Sequence, residues 1–462
     1  MKTFTLQQIA DLINGTVVDG DPDLLIHDVV YLQNKLTQPH TLIFKRSETS
    51  SLNWGLLRKY APFAIVVEDR DPTFIEEEDC AIIFVKDIED AYYRFVEAYR
   101  NLFDIPVVAV TGTCGKTTTK EMIRHILQET MNVQATVKSN NSFHRNLSYL
   151  TGIDEHTDAA VFETAVGKPG QLSYHCDYFQ PTIGIITNIG VDHLDGCKTW
   201  EAYLNAKAEI LGGLKNQGVL IINDDCPNIK KIDMSQYQGR IVTTGLGKTA
   251  EFGAERIRYG EGGMHFVLRH QNRKYAAFVT GYGEHQVYNA LAAVAAAVEI
   301  GVSVKAAIDR LASFQPVRLH TEMFTGINGC TVIDDTWSAN MNSIEAALKV
   351  LRDLKKGRTS IFIISDITML GDAVQEVHRQ VGEMVTRYDV DILITVGEAA
   401  SLIGTSALSV KPQMRVHIYK EPEPALELLT RILNERTIIL MKSDMTDRQM
   451  PTVIKKIKLK KK

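Results

Sequence analysis

The chain of 462 residues is too long for one hydrophobic core, and its length predicts about three domains. Hydrophobic residues make up 45% and charged residues 23%, the proportions of an ordinary globular protein. The net charge of −5 gives no general attraction to nucleic acid or to anionic membranes, so neither is expected as a partner.

The cysteine pattern and the hydropathy pattern both bear on location. The six cysteines are scattered, without a CxxC pair, which favours a reducing compartment and argues against a structural zinc site. The N-terminal segment has no signal-peptide core, and no apolar run is long enough to span a membrane. We therefore expect a soluble, cytoplasmic protein, and we expect a monomer. The lysine-rich end, residues 455–462, is interpreted as a solvated helix end, with contact to a membrane or polyanion as the alternative.

The first predicted domain covers residues 1–104 and is a small α/β domain. An amphipathic helix precedes Gly15, short strands are predicted at 42–44 and 63–67, and a helix is predicted at 88–102. The sequence Asp104-Ile105-Pro106 then ends the helical pattern, because proline disfavours helical geometry in the residue before it.

The other two predicted domains, residues 105–314 and 315–462, alternate strand and helix. This alternation predicts parallel sheets covered by helices, with an arrangement of Rossmann type in the C-terminal domain. The central strands are predicted at 107–110, 159–162, 183–187, 219–222 and 241–244, before a helix at 287–300. In the C-terminal domain, strands are predicted at 331–333, 361–364 and 392–396, and helices from 343 and at 373–386.

The strongest motif is VVAVTGTCGKTTT, residues 107–119. A buried strand followed by a glycine turn, Gly-Lys-Thr and a helix lets backbone N–H groups meet phosphates. Lys116 is expected to reach the β- and γ-phosphates, and the Thr117 hydroxyl to hold Mg²⁺. The strict GxxxxGK[ST] pattern is not met, because Val110 stands at its first glycine, so an ordinary strand–turn–helix corner is the alternative. The loop residues expected to contact the nucleotide are Gly112, Thr113, Gly115, Lys116, Thr117 and Thr118.

Three polar residues follow strands or lie just beyond them. Glu163 and His193 are expected at the carboxyl edge of the sheet, where ligands bind, although a surface salt bridge and a structural histidine are the alternatives. A carboxylate there suits Mg²⁺. Lys207 fits beside a metal only if its amine is uncharged, paired with phosphate, or converted by CO₂ to a carbamate.

Several motifs together resemble the Mur ligase superfamily, and within it the branch that adds D-alanyl-D-alanine in peptidoglycan synthesis. They occur in the family's order through most of the second and third predicted domains. The motifs are TGTCGKTTT, VFETAVGKPGQL, ITNIGVDHLDG, AKAEIL, INDDCP, GEHQVYNALAA, VIDDTWSAN and LGDAVQEVHRQVGE.

The resemblance implies an ATP-dependent, ADP-forming ligase with two Mg²⁺ ions. Such an enzyme activates a small-molecule carboxylate as an acyl phosphate for attack by an amino-acid or dipeptide amine. The resemblance also implies that residues 1–104 bind substrate, that residues 105–314 bind ATP, and that residues 315–462 form the ligase domain. The implied site consists of Lys116 and Thr117 on the phosphates, Glu163 on the first ion, His193 and a carbamylated Lys207 on the second, Asn289 on the adenine side, and Arg318 and Asp335 closing from the third domain.

The departures from the family pattern lie on the substrate side, which predicts altered substrate sites in a specialised paralogue. The family's Asp-Ser-Arg element is absent from residues 29–35, and its glycine and proline are missing from the loop at 140–146. In the third domain the segments that depart are 334–341, 367–371, which has lost a glutamate, and 442–445, which has lost an arginine.

Three alternatives stay open at this point. One is the standard peptidoglycan enzyme itself, and another is a non-catalytic ATP-binding paralogue that acts as a partner or regulator. The third is an NTPase motor or kinase, which is disfavoured by the absence of a basic polymer-binding composition. ATP is favoured over GTP because no NKxD-type guanine motif is present.

Overall fold

The structure is a computed structural model that describes residues 1–31, 35–45, 52–68, 80–141, 148–447 and 449–459. Parts of three segments discussed above lie outside the described residues, namely 32–34, 142–147 and 460–462. The chain divides into two compact units. The first comprises Met1–Ala109, Thr130–Phe162 and Tyr174–Pro181, and the second comprises Val110–Glu129, Glu163–Ser173 and Thr182–Lys462.

The N-terminal part of the first unit is a mixed sheet with helices. The strands are β1 Phe4–Thr5, β2 Thr16–Asp19, β3 Leu25–Ile26, β4 Asp28–Val30, β5 Thr41–Phe44, β6 Phe63–Glu68 and β7 Cys80–Val85, and the helices are α1 Leu6–Leu12, α2 Trp54–Leu57 and α3 Ile88–Arg100. The sheet order is β2-β7-β6-β5-β4, parallel from β4 to β7 and antiparallel between β7 and β2. Strands β1 and β3 form a separate antiparallel pair.

Helix α3 supplies much of the core of the first unit. It begins at Asp87, whose side chain accepts the N–H of Asp90 at 2.9 Å and so satisfies one of the free donors of the first turn. Its buried face includes Ala91, Phe95 and Tyr99, spaced by four residues, and packs on the parallel sheet.

The middle of the chain alternates strands and helices, as the sequence predicts. The strands are β8 Val107–Thr111, β9 Val133–Ala135, β10 Ala159–Glu163, β11 Ile183–Ile186, β12 Val219–Asn223, β13 Arg240–Gly245, β14 Phe252–Tyr259, β15 Gly263–His270 and β16 Arg273–Thr280. The helices are α4 Lys116–Leu127, α5 Gln171–Phe179, α6 Leu194–Cys197, α7 Trp200–Ala208, α8 Ile210–Gly213, α9 Glu284–Glu299 and α10 Val304–Leu311.

The sheet in this part is parallel at its centre and antiparallel at one end. In the second unit the order is β16-β15-β14-β13-β12-β11, with parallel pairing from β11 to β14 and antiparallel pairing among β14, β15 and β16. In the first unit β9 pairs in parallel with β10. The antiparallel strands were not predicted from the sequence, which indicated a purely parallel sheet here.

The C-terminal part contributes a six-stranded sheet to the second unit. The strands are β17 Glu322–Thr325, β18 Thr331–Asp335, β19 Thr359–Ser365, β20 Ile392–Val396, β21 Arg415–Tyr419 and β22 Thr437–Lys442, and the helices are α11 Met341–Lys355, α12 Val374–Thr386, α13 Ser401–Val410, α14 Pro422–Ile432 and α15 Met450–Ile457. The order is β17-β18-β22-β19-β20-β21, and every pairing except that of β17 is parallel. Apolar clusters cover both faces of this sheet, as expected for parallel strands.

The α/β class and the Rossmann-like C-terminal part are therefore confirmed, whereas two helix starts were predicted wrongly. The helix after the phosphate loop was predicted over residues 120–129 but begins at Lys116. The N-terminal helix was predicted over residues 1–15 but begins at Leu6, because residues 4–5 are a strand. Within the described residues, no helix is both long and apolar enough to cross a bilayer.

Candidate active site at the phosphate loop

The phosphate loop lies between β8, all five of whose residues are buried, and α4. Gly112 and Gly115 have φ angles of 140° and 81°, which L side chains rarely adopt. A Cβ at Gly112 would also approach Thr187 Oγ1 to 2.0 Å, so the loop needs glycine here for space as well as for its backbone angle. Because the first N–H groups of α4 have no acceptor within the helix, they form an anion-binding end.

The neighbouring segment after β11 holds the loop in shape. The Cys114 N–H donates to Asn188 Oδ1 at 3.0 Å, and the Cys114 carbonyl accepts from Thr187 Oγ1 at 2.6 Å. The Thr113 hydroxyl accepts the N–H of Gly190 at 2.8 Å, so this side chain is turned into the protein. Thr113 therefore shapes the loop, and its hydroxyl is not presented to a ligand.

The two loop residues with the clearest expected roles lie beside each other and beside Glu163. Lys116 Nζ donates to the carbonyls of Gly112 and Thr113, each at 3.0 Å. The Thr117 hydroxyl donates to Glu163 Oε2 at 2.8 Å, and Glu163 is only 2% exposed at the end of β10. A hydroxyl and a carboxylate thus meet at the start of α4, and the Lys116 ammonium group adjoins them in the chain.

Lys207 of α7 also points at the loop. Its amine donates to the Gly112 carbonyl at 3.1 Å and lies 3.4 Å from Thr111 Oγ1, and the residue is 1% exposed. Burial holds the pKa of Lys207 well below its ordinary value, and the nearby Lys116 charge lowers this pKa further. The structure therefore favours an uncharged amine. This is one of the three conditions under which a lysine fits beside a metal ion, the others being a bond to phosphate and conversion to a carbamate.

His193 immediately precedes α6, with a left-handed backbone at φ 51°. Its N–H donates to the carboxylate of Asp192 at 2.9 Å. Burial lowers the pKa of His193, with Asp192 opposing this and the charges of Lys116 and Lys207 adding to it. The neutral imidazole keeps a nitrogen lone pair available for a metal ion.

Asn289 and Thr118 lie close to the start of α4. Asn289 Oδ1 accepts from Thr119 Oγ1 at 3.3 Å, and a Cβ at Gly115 would come within 2.4 Å of the same oxygen. Asn289 therefore packs directly on the phosphate loop, whereas the resemblance implied contact with adenine. Thr118 is 4% exposed.

Arg318 and Asp335 belong to the C-terminal part of the chain. Arg318 is exposed, and Asp335 accepts hydrogen bonds from the Thr321 N–H at 3.0 Å and from the buried amine of Lys442. Among the described residues, no hydrogen bond or ion pair joins Arg318 or Asp335 to the phosphate loop.

Four residues that bond to the residues above were not given roles by sequence reasoning: Asn188 and Asn340 bond Cys114, Asp192 bonds His193, and Lys442 bonds Asp335. Asn188 and Asp192 stand in the motif ITNIGVDHLDG and Asn340 stands in VIDDTWSAN, whereas Lys442 opens the segment 442–445. Except for the bond of Asp192 to His193, these contacts depend on distant segments, so spacing along the chain gave no signal for them. Within the described ranges, no three His, Cys, Asp or Glu side chains form a potential metal-binding cluster.

Comparisons with known proteins agree with this geometry. The model of the Mur ligase middle domain matches residues 110–297, and that of the Mur ligase glutamate ligase domain matches residues 321–445. The UDP-N-acetylmuramoyl-tripeptide–D-alanyl-D-alanine ligase of Bacillus subtilis is 28% identical over 442 residues, 95% of each chain.

Solved structures show the same fold. A crystal structure of MurF from Acinetobacter baumannii has a TM-score of 0.86 at 23% identity and covers 98% of both chains. The MurF ligase of Thermotoga maritima, solved in complex with ADP, has a TM-score of 0.78 at 19% identity, covering 93% of this chain and 96% of that one.

Proposed function

The chain belongs to the Mur ligase family, and from this premise we propose that it is an ATP-dependent ligase. It joins the carboxylate of a UDP-linked sugar peptide to the amine of D-alanyl-D-alanine, the substrates named for its relatives, and releases ADP and phosphate. The observation that carries the proposal is the bond from Thr117 to Glu163 at 2.8 Å, beside Lys116 and the open end of α4.

The reaction has to bring two anions together, because a carboxylate oxygen attacks the γ-phosphorus of ATP. Lys116 is positioned to reduce this repulsion. Its amine now bonds two loop carbonyls at 3.0 Å, and we expect it to exchange them for phosphate oxygens when the nucleotide binds. The N–H groups at the start of α4 add further positive potential at the same point.

The residues present fit a magnesium site. The Thr117 hydroxyl and the Glu163 carboxylate are hard oxygen donors that already lie within 2.8 Å of each other, so they would hold the first ion. His193 and a carbamylated Lys207 would hold the second. When bound, Mg²⁺ supplies positive charge that offsets the repulsion between the phosphates and the substrate carboxylate.

The carbamate of Lys207 is part of the proposal because its amine is buried and its pKa is lowered. The neutral amine attacks CO₂, forms an N–C bond and releases one proton, leaving an anion in place of a neutral group. Lys207→Ala is expected to lose turnover that short carboxylic acids partly restore. Failure of this rescue, with no added mass of CO₂ on Lys207, would remove the carbamate from the proposal.

The second half of the reaction is attack by the amine on the acyl carbon, with phosphate as the leaving group. The oxyanion that develops needs nearby positive charge, and water must be excluded because it would hydrolyse the acyl phosphate. We propose that Asn289, Arg318 and Asp335 complete the nucleotide site, the last two by closure of the C-terminal part. The domain bounds 1–104, 105–314 and 315–462 remain predictions.

Altered recognition of the amine substrate also remains a prediction, and two exposed methionines support it. Met369 and Met445 are 37% and 60% exposed and stand where the family pattern has a glutamate and an arginine. A thioether pairs with neither the ammonium nor the carboxylate of a dipeptide. We therefore expect weak binding of D-alanyl-D-alanine, and a lower KM for this dipeptide in Met445→Arg. An unchanged KM would contradict this part.

The proposed function is tested by incubating the protein with ATP, UDP-N-acetylmuramoyl-tripeptide and D-alanyl-D-alanine. We expect mass spectrometry to show the sugar pentapeptide, with ADP and phosphate formed in equal amounts and only when the amine is present. ATP binding without amine-dependent turnover across a panel of dipeptides would instead indicate a non-catalytic protein. AMP and pyrophosphate would indicate a different activation chemistry.

A further inference from the structure

Asn340 begins helix α11 and is 2% exposed. Its Oδ1 accepts the N–H of Ser343 at 3.0 Å, while its own N–H donates to the Ser343 hydroxyl at 3.1 Å. These two bonds cap the helix in the ordinary way. A serine at this position would cap the helix about as well as asparagine does.

The Asn340 side chain makes two further contacts that capping does not require. Its Oδ1 accepts from the thiol of Cys114 at 3.1 Å, and its Nδ2 lies 3.4 Å from Asp192 Oδ2, to which it donates. Cys114 is at the tip of the phosphate loop, and Asp192 precedes His193. One amide group therefore bonds the phosphate loop, the His193 segment and the start of α11.

The first turn of the helix packs against the same segment. A Cβ at Gly190 would lie 2.2 Å from Asn342 Oδ1, so Gly190 and Asn342 are in close contact. The backbone of Cys114 is already bonded to Thr187 and Asn188, which leaves its thiol as the group that meets the C-terminal part. The start of α11 thus contacts the phosphate loop through one thiol and contacts the segment after β11 at Gly190.

We propose that Asn340 is a positioning residue that couples docking of α11 to the shape of the phosphate loop and of the Asp192–His193 segment. An amide fits this role because it carries a donor and an acceptor on one rigid plane. Aspartate would lack the donor and would place a second carboxylate against Asp192. The inference rests on the proposed ligase function, since docking of the C-terminal part matters only if that part completes the site.

The kinetic test uses Asn340→Ser, which keeps a capping oxygen but is too short to bond both Cys114 and Asp192. We expect kcat to fall about tenfold, the effect of losing two hydrogen bonds of ordinary strength, while the Kd of ATP changes less than threefold. Ser303→Ala is the matched control, because it removes the cap of α10, where Ser303 Oγ accepts the Ala306 N–H at 3.2 Å. A kcat and KM equal to wild type in Asn340→Ser would overturn the inference.

A double-mutant cycle separates positioning from simple loss of folded protein. Cys114→Ala is expected to lower kcat severalfold in the wild-type background and to have no further effect in Asn340→Ser. Cys114→Ser keeps a hydroxyl donor and is expected to lose severalfold less than Cys114→Ala. Additive effects, or equal losses in the serine and alanine variants, would contradict the coupling.

Labelling of Cys114 gives a readout that does not need turnover. Cys114 is partly exposed, whereas the other five cysteines are buried, so peptide mass spectrometry can follow this thiol specifically. Alkylation of Cys114 by iodoacetamide should be severalfold faster in Asn340→Ser than in wild type or Ser303→Ala. Equal rates in all three overturn the inference. A wild-type protein without turnover would count against the proposed ligase function instead, and the labelling would still decide the role of Asn340.

Discussion

The two compact units bury different kinds of side chain. The core of the first unit is aromatic, and Phe44, Phe95 and Tyr99 are fully buried there with ring centroids about 6 Å apart. The second unit buries Lys207 and Glu163 beside the phosphate loop, with exposures of 1% and 2%. The first core stabilises its unit, whereas the buried amine and carboxylate of the second are costly to maintain.

A buried charge in the first unit makes the contrast sharper. Arg100 is 3% exposed, but its guanidinium donates to the carbonyls of Phe179 at 3.0 Å and Phe103 at 2.5 Å. These hydrogen bonds compensate the guanidinium for its loss of water and belong to the first unit itself. Lys207 instead has a strongly lowered pKa and lies where the ligand is expected, which is the pattern of a residue retained for chemistry rather than stability.

The largest expected effect is on stability, from Phe95→Ala in the aromatic core. Removing this ring should lower the free energy of unfolding of the first unit by about 3–5 kcal/mol. Hydrogen exchange of peptides from residues 88–100 measures the change locally. We expect kcat per folded molecule to stay near wild type. A large loss of kcat per folded molecule would contradict the view that this core serves stability and not catalysis.

Lys116→Ala should have the next largest effect, on activity alone. Loss of one charged contact to the reacting phosphate is expected to cost about 10²–10³ in kcat, or about 2.7–4 kcal/mol. Its amine bonds only loop carbonyls within the described residues, so the thermal unfolding midpoint should hardly change. Steady-state release of ADP gives the rate, and wild-type turnover would refute the role assigned to Lys116.

Lys207→Met is expected to raise the stability of the protein and to abolish its activity. Methionine fills similar space without burying an amine, so the free energy of unfolding should rise by about 1–3 kcal/mol. Turnover should be lost, because no carbamate can form. Denaturant titration measures the first quantity. A variant less stable than wild type would show that the Lys207 bonds to Gly112 and Thr111 stabilise the fold after all.

The smallest expected effect is a pH dependence in the first unit. His175 is fully buried and stacks on Phe179, and burial lowers its pKa from 6.5 to about 4. Between these values the unfolded chain binds a proton that the folded unit does not, so stability is complete above pH 6.5 and falls as the pH drops towards 4. The loss from this group should be about 1 kcal/mol between pH 7 and pH 5.5. His175→Phe should flatten that slope, and an unchanged slope would contradict the assignment.

The sequence predicted those features of the fold whose residues are adjacent in the chain. The run Val107–Val110 before Gly112 predicted both a buried strand and a phosphate loop, because strand, glycine turn and Gly-Lys-Thr are adjacent in the chain. The antiparallel strands β14–β16 were not predicted, because buried and more exposed residues alternate along much of them and they lack the continuous apolar run of the buried parallel strands. The α/β class and the family resemblance are confirmed, whereas the roles of individual site residues stay predictions.

The missed contributors share one physical cause. Asn340 lies 226 positions from Cys114 and Lys442 lies 107 positions from Asp335, so no spacing rule connects either pair. The lowered pKa values of Lys207 and His193 likewise depend on burial by segments far apart in the chain. Sequence motifs located the ends of the strands, and only the folded sheets brought their side chains together.

The central claim, that a carboxylate oxygen attacks ATP at the phosphate loop, is tested most directly by isotope transfer. The sugar peptide is labelled with ¹⁸O in its reacting carboxylate and converted with unlabelled ATP and D-alanyl-D-alanine. An acyl phosphate leaves one carboxylate oxygen on phosphorus, so each phosphate released should carry one ¹⁸O. Phosphate without label would mean that water, rather than the substrate carboxylate, attacked the nucleotide.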